Sequence, residues 1–266
     1  MNTRLSPFLT AKARGQKIAM LTAYDYPTAR LLDEAGVDIL LVGDSLGMVV
    51  LGYPDTTLVT MEEMLHHTRA VVRGSQRAPV VADLPIHSYD TPEQAVANAR
   101  RLMEAGADAV KLEGGVSHAA QIAAITGAGI PLVAHIGMLP QSVREEGGYK
   151  IKGKTPEAAQ LLMEDALAVE AAGACAVVME LVKPEAARAI TAALRIPTIG
   201  IGSGADCDGQ VLVIHDLAGL FPWFTPKFAQ PLASAGADIR AAAAAYVAQV
   251  HGDSDKNNQE TRKPGI

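Results

Sequence analysis

Five short apolar runs in this chain each close on an ionisable side chain. Asp44 follows Ile39-Leu40-Leu41-Val42-Gly43, Asp83 follows Val80-Val81-Ala82, and Glu113 closes Val110-Lys111-Leu112. His135 follows Leu132-Val133-Ala134, and Glu180 follows Ala176-Val177-Val178-Met179. Apolar runs of this length read as parallel strands buried on both faces. A charge at the C-terminal tip of such a strand does nothing for packing, and in a barrel of parallel strands that edge is where active sites form.

The residue types suggest the chemistry. Two carboxylates converging on one point, as Asp44 and Asp83 would, repel unless a proton or a cation lies between them. A hard divalent ion with oxygen ligands answers that need, and magnesium takes one or two carboxylates plus water and substrate. Either Asp alone also reads as a helix cap or turn residue, Asp44 above all, because Ser45-Leu46-Gly47 follows. In Val110-Lys111-Leu112-Glu113 the alternation of a strand puts Lys111 and Glu113 on one face. They are a functional pair aimed into a barrel mouth, or a buried structural ion pair that adds little stability. His135 reads as either structural or catalytic. Glu180 ends a run with no other polar group, and apolar surroundings raise a carboxyl pKa into the range of a general acid or base. The bland alternative is a salt bridge to a neighbour such as Lys183.

Two weaker signals accompany these. Ile199-Gly200-Ile201-Gly202-Ser203-Gly204 is either a phosphate cradle beyond a late strand or a site of close backbone packing. The segment 137–155 carries Arg144, Lys150, Lys152 and Lys154. It reads as a lid that attracts an anionic substrate, or as a solvated surface.

The elements that must position these residues are punctuated by two alternating turn signals. Glycine follows a helical pattern and precedes a strand at Glu34-Ala35-Gly36, Glu104-Ala105-Gly106 and Glu170-Ala171-Ala172-Gly173. Proline opens a strand at Pro79, Pro131 and Pro197. With Lys17 to Ala23 as strand one and Gln210 to Ile214 as strand eight, the pattern predicts an α/β fold of eight strands alternating with helices. That is a single (β/α)8 TIM barrel, with an open doubly wound sheet as the alternative. The repeat at Ser234-Ala235-Gly236 is expected to start the last helix instead of a strand.

The 266 residues suit one barrel domain over 1–250, with a polar, disordered tail over 251–266. The net charge of −6 argues against nucleic acid as the main partner. Two cysteines, Cys175 and Cys207, with no zinc spacing, fit a reducing cytoplasm. The residues from Met1 to Pro7 have no apolar core like that of a signal peptide, and no run of about 18 apolar residues predicts a membrane span.

Ordered motifs between Lys17 and Ala229 make the chain resemble the ketopantoate hydroxymethyltransferase family. They include Thr22-Ala23-Tyr24-Asp25-Tyr26, Val42-Gly43-Asp44-Ser45-Leu46-Gly47-Met48, Ala82-Asp83-Leu84-Pro85 and Val110-Lys111-Leu112-Glu113-Gly114-Gly115. His135-Ile136-Gly137, Pro140-Gln141-Ser142, Asp208-Gly209-Gln210 and Pro226-Lys227-Phe228 continue the series. The resemblance implies a barrel of the phosphoenolpyruvate/pyruvate type and a homodecamer built from two pentameric rings. It implies transfer of a hydroxymethyl group from 5,10-methylenetetrahydrofolate to 3-methyl-2-oxobutanoate, through a metal-bound enolate, in pantothenate biosynthesis. By motif position it implies Asp44 and Asp83 as direct Mg2+ ligands, with Glu113 acting through water. It also implies Ser45 and Lys111 as contacts to the substrate carboxylate, His135 at the substrate's oxygen end, and Glu180 as catalytic acid/base. Ile86-His87-Ser88, Met138-Leu139 and Phe221-Pro222-Trp223-Phe224 depart from the family pattern. The alternative is a lyase or mutase of the isocitrate lyase and phosphonomutase group, which also acts on a metal-bound 2-oxo acid. Neither cysteine lies in the Lys-Lys-Cys-Gly-His loop of that group.

Overall fold

A computed structural model describes residues 4–252. Eight strands form a closed barrel in chain order, so the open-sheet alternative is set aside. They are β1 (Ile18–Thr22), β2 (Ile39–Val42), β3 (Val80–Asp83), β4 (Ala109–Glu113), β5 (Leu132–Gly137), β6 (Ala176–Glu180), β7 (Thr198–Ile201) and β8 (Gly209–Leu212). Every neighbouring pair is parallel, including β1 with β8. The first and last strands are shorter than the apolar runs suggest.

Both turn signals do what their chemistry requires. Gly36, Gly106 and Gly173 adopt φ of 89°, 102° and 93°, the left-handed region that side chains resist, at the helix-to-strand turns. The prolines sit one residue before β3, β5 and β7. On the return side, threonine caps the helices Met61–Gly74, Pro92–Glu104 and Pro156–Ala171 by accepting a backbone N–H.

Strand alternation sorts the core into two sets. Val80, Ala82, Val110, Leu112, Leu132, Ala134, Val177 and Met179 pack outward with the helices. Ile39, Leu41, Val81, Ala109, Val133, Ala176 and Val178 fill the barrel interior. Continued up each strand, the inward phase reaches Asp83, Lys111, Glu113, His135 and Glu180. An apolar plug therefore fills the barrel below a layer of charges.

The chain packs as two compact units, Met1–Ile214 and His215–Ile266. The first holds the barrel. In the second, the helix Ala235–Val250 starts at the repeated Ala-Gly turn, as expected. Residues 253–266 of the expected tail lie outside the described residues.

Candidate active site

Sheet register, which no single strand reveals, pairs the inward charges. Asp83 is the register partner of Lys111, and Glu113 that of His135. Register partners on one face of a parallel sheet lie side by side. Lys111 Nζ is 2.9 Å from Asp83 Oδ1, and His135 Nδ1 is 3.4 Å from Glu113 Oε1. Glu180 pairs with Gly137, two residues beyond His135, and its Oε2 reaches to 3.4 Å from His135 Nε2. The carboxylate expected in purely apolar surroundings thus has an imidazole beside it, because the neighbouring strand delivers one. Lys183 is not its partner. All these side chains are nearly or fully buried.

Asp44 arrives by another route. It follows β2 by two residues, where alternation would turn it outward. Gly43 occupies the inward position, and a Cβ there would stand 2.9 Å from Ser45 Oγ. The turn after Gly43 brings Asp44 back over the mouth. Its N–H donates to Asp83 Oδ2 at 3.1 Å, and its Oδ2 accepts from Gln141 Nε2 at 2.7 Å. The cap reading of Asp44 does not hold, since the helix Leu46–Val49 starts at Ser45 with no side-chain cap. Ser45 Oγ lies 2.8 Å from the Tyr24 hydroxyl.

The charges do not balance. Asp44, Asp83, Glu113 and Glu180 face only Lys111 and His135, so negative charge is in excess by about two when all are ionised. Burial pushes the Asp44 carboxyl well above the ordinary range, Asp83 and Glu113 push it further, and Lys111 and Gln141 only partly oppose them. Burial would also raise Glu113, but His135, Lys111 and the Gln141 N–H outweigh it and hold that carboxyl low. Burial and Lys111 push the His135 imidazole down, yet Glu113 and Glu180 prevail and hold it at about 9. Burial likewise works against the Lys111 cation, and Asp83, Glu113 and Asp44 overcome it to raise the ammonium pKa. Burial with Glu113, Asp44 and Asp83 raises the Tyr89 hydroxyl, and burial with Glu180, Asp44, Glu113 and Asp55 raises that of Tyr149.

This donor set fits a divalent cation. The excess is of the right sign and size, and the donors are buried carboxylate oxygens. Among the described residues no three His, Cys, Asp or Glu groups enclose an ion by themselves. Two carboxylates, with other positions left for substrate and water, are what an open site requires.

The weaker signals resolve toward structure. The Ser203 hydroxyl is buried against Met179 O and Val182 N, and a Cβ on Gly200 would meet Cys207 Sγ at 2.9 Å, which favours close packing over a phosphate cradle. In the 137–155 segment Arg144 pairs with Asp55, Lys152 with Glu146, and Lys150 with the Glu146 carbonyl. Those three cations are engaged locally. Gln141, Tyr89 and Tyr24, which the patterns did not single out as functional, join the site from loops where no periodicity marks them.

The chain is similar to known proteins over most of its length. The ketopantoate hydroxymethyltransferase family model matches residues 2–254. A 3-methyl-2-oxobutanoate hydroxymethyltransferase of Dehalococcoides mccartyi is 55% identical over 252 residues, covering 94% of this chain and 89% of its own. One from Acetivibrio thermocellus is 57% identical over 245 residues, covering 91% and 87%. Among solved structures, a phosphonopyruvate hydrolase in complex with oxalate and Mg++ superposes with a TM-score of 0.63 at 17% identity, covering 99% of this chain and 92% of its own. At that identity the likeness shows the shared barrel.

Proposed function

The chain belongs to the ketopantoate hydroxymethyltransferase family, and on that premise we propose that it transfers a hydroxymethyl group from 5,10-methylenetetrahydrofolate to 3-methyl-2-oxobutanoate, giving 2-dehydropantoate and tetrahydrofolate for pantothenate biosynthesis. The observation that carries the site assignment is the uncompensated negative charge at the barrel mouth, sharpest at Asp44. In this reading Asp44 and Asp83 hold Mg2+ directly and Glu113 holds it through water. When bound, the ion supplies Lewis-acid stabilisation of the developing enolate charge.

The remaining roles follow from the chain's own groups. Lys111, buried and cationic, offers positive charge to the substrate carboxylate. Ser45, oriented by Tyr24, offers a hydroxyl to the same group. With a pKa of about 9, His135 is an imidazolium at neutral pH. In this reading it lies between Glu113 and Glu180 and contacts the substrate's oxygen end. Glu180, at the rim beside His135, is the proton carrier in this reading.

A homodecamer is part of the proposal. The helix Ala235–Val250 leaves Ile239, Tyr246 and Val250 exposed, which supports burial against another copy. Light scattering should give ten times the 27.8 kDa of one chain. A cytoplasmic location is also proposed, and among the described residues no helix is long and apolar enough to cross a membrane.

The test of function is product formation from both substrates. We expect 2-dehydropantoate only when both are present, loss of turnover with a chelator, and recovery with Mg2+. No product under any of these conditions would overturn the reading.

A further inference from the structure

Gln141 is nearly fully buried in the turn after β5, where packing alone would be served by an apolar side chain. Instead every polar group of its side chain is engaged. Its amide nitrogen donates to Asp44 Oδ2 at 2.7 Å and to the Leu84 carbonyl at 3.0 Å. Its amide oxygen accepts the hydroxyl of Tyr89, itself buried and packed edge-on against His118. Its backbone N–H donates to Glu113 Oε2 at 3.0 Å.

These contacts leave one orientation for the amide. Two acceptors require its nitrogen on the Asp44 side, and a hydroxyl donor requires its oxygen on the Tyr89 side. The terminal torsion of an aspartate is otherwise soft. Repulsion from Asp83 would turn an unrestrained Asp44 away from the place where the ion needs it. We propose that Gln141 is a positioning residue of the cation site, locked by Tyr89, which clamps one oxygen each of Asp44 and Glu113, leaving the other oxygen of Asp44 for the ion while Glu113 Oε1 faces His135. This inference rests on the proposed cation site.

The test is Mn2+ affinity of the resting, substrate-free protein, read by electron paramagnetic resonance, with the chelator-treated melting temperature as a folding control. Partners that orient metal ligands typically contribute about 10–100-fold in affinity. Gln141→Leu should weaken Mn2+ binding by about that factor, with a melting temperature close to the parent's. Tyr89→Phe keeps the ring and removes the lock, so it should weaken binding in the same direction by a smaller factor. A folded Gln141→Leu protein that binds Mn2+ as tightly as the parent overturns the inference. If that variant does not fold, unchanged affinity in Tyr89→Phe overturns it equally. Absence of Mn2+ binding in the parent itself would sink the cation reading along with it, a different failure from parent and variants binding alike.

Discussion

The two ends of the barrel treat buried acids in opposite ways. At the lower end, where the strands begin, each carboxylate is matched to donors. Asp33 accepts the N–H groups of Gln76, Arg77 and Ala78. Asp108 accepts from Val80 N and pairs with Arg4, while Asp208 takes Lys12 and the N–H and hydroxyl of Thr198. At the upper end four carboxylates crowd against two cations, and Asp44 is driven toward protonation. Identical side chains thus act as staples below and as an unfinished site above. The difference lies in how many donors the fold supplies, and satisfied acids at the strand starts read as stability, whereas unsatisfied ones at the strand tips read as chemistry.

The largest effect that sharpens this contrast is on turnover. Glu180→Gln should lower kcat by about a thousandfold, within the range of a lost general acid or base. Cation binding and melting temperature should hardly change. A variant that exchanges the C3 proton at the parent rate would remove Glu180 from the mechanism.

Next are two substitutions of one kind with opposite signs. Below, Asp33→Asn sets an amide NH2 against backbone donors and should cost about 1–3 kcal/mol of stability, measured by denaturant unfolding. Above, Asp44→Asn removes a repelled charge. In chelator it should raise the melting temperature by a few degrees, roughly what 1 kcal/mol is worth in a chain of this size. If both variants lose stability, the contrast between the ends is broken.

The smallest effect is the slope of cation-free stability with pH. Burial would raise the Asp33 carboxyl, but the N–H groups of Ala78, Arg77 and Gln76 prevail and depress it. Its contribution is therefore present above the ordinary aspartate value of about 3.9 and disappears as pH falls through its lower folded value. Asp44 is raised, so the folded state holds a proton that the unfolded state has released. Its contribution falls as pH climbs from the ordinary value toward the folded one. His135, raised from 6.5 to about 9, contributes fully below 6.5 and loses that contribution as pH rises through 9. His135→Gln should flatten the curve over that alkaline window, and an unchanged slope there would contradict the imidazolium assignment.

How much of this could be read from residues alone divides along the same physical line. Alternation within a strand is local, so Lys111 and Glu113 on one face were legible, as was the placement of Asp83, His135 and Glu180 at strand tips. So were the barrel and its glycine and proline turns, because each turn states its own backbone need. The pairing of Asp83 with Lys111 depends on register between strands, a tertiary property. Asp44 was legible as a residue and illegible as a geometry, since Gly43 and a turn place it against the strand phase. Gln141 and Tyr89 arrive on loops, where no period distinguishes a donor from a surface group. In 137–155 the sequence left both a substrate-attracting lid and a solvated surface open, because the pairing of Arg144 with Asp55 and of Lys152 with Glu146 is set by the folded chain.

The central claim is that the upper end holds negative charge which a divalent cation completes. Isothermal titration of Mg2+ into chelator-treated protein, at mildly acidic pH in two buffers of different ionisation heat, tests it most directly. The account predicts binding accompanied by proton release in the parent, with the proton release lost in Asp44→Asn and retained in Asp33→Asn. Binding without proton release, or no binding heat in the parent, would contradict it.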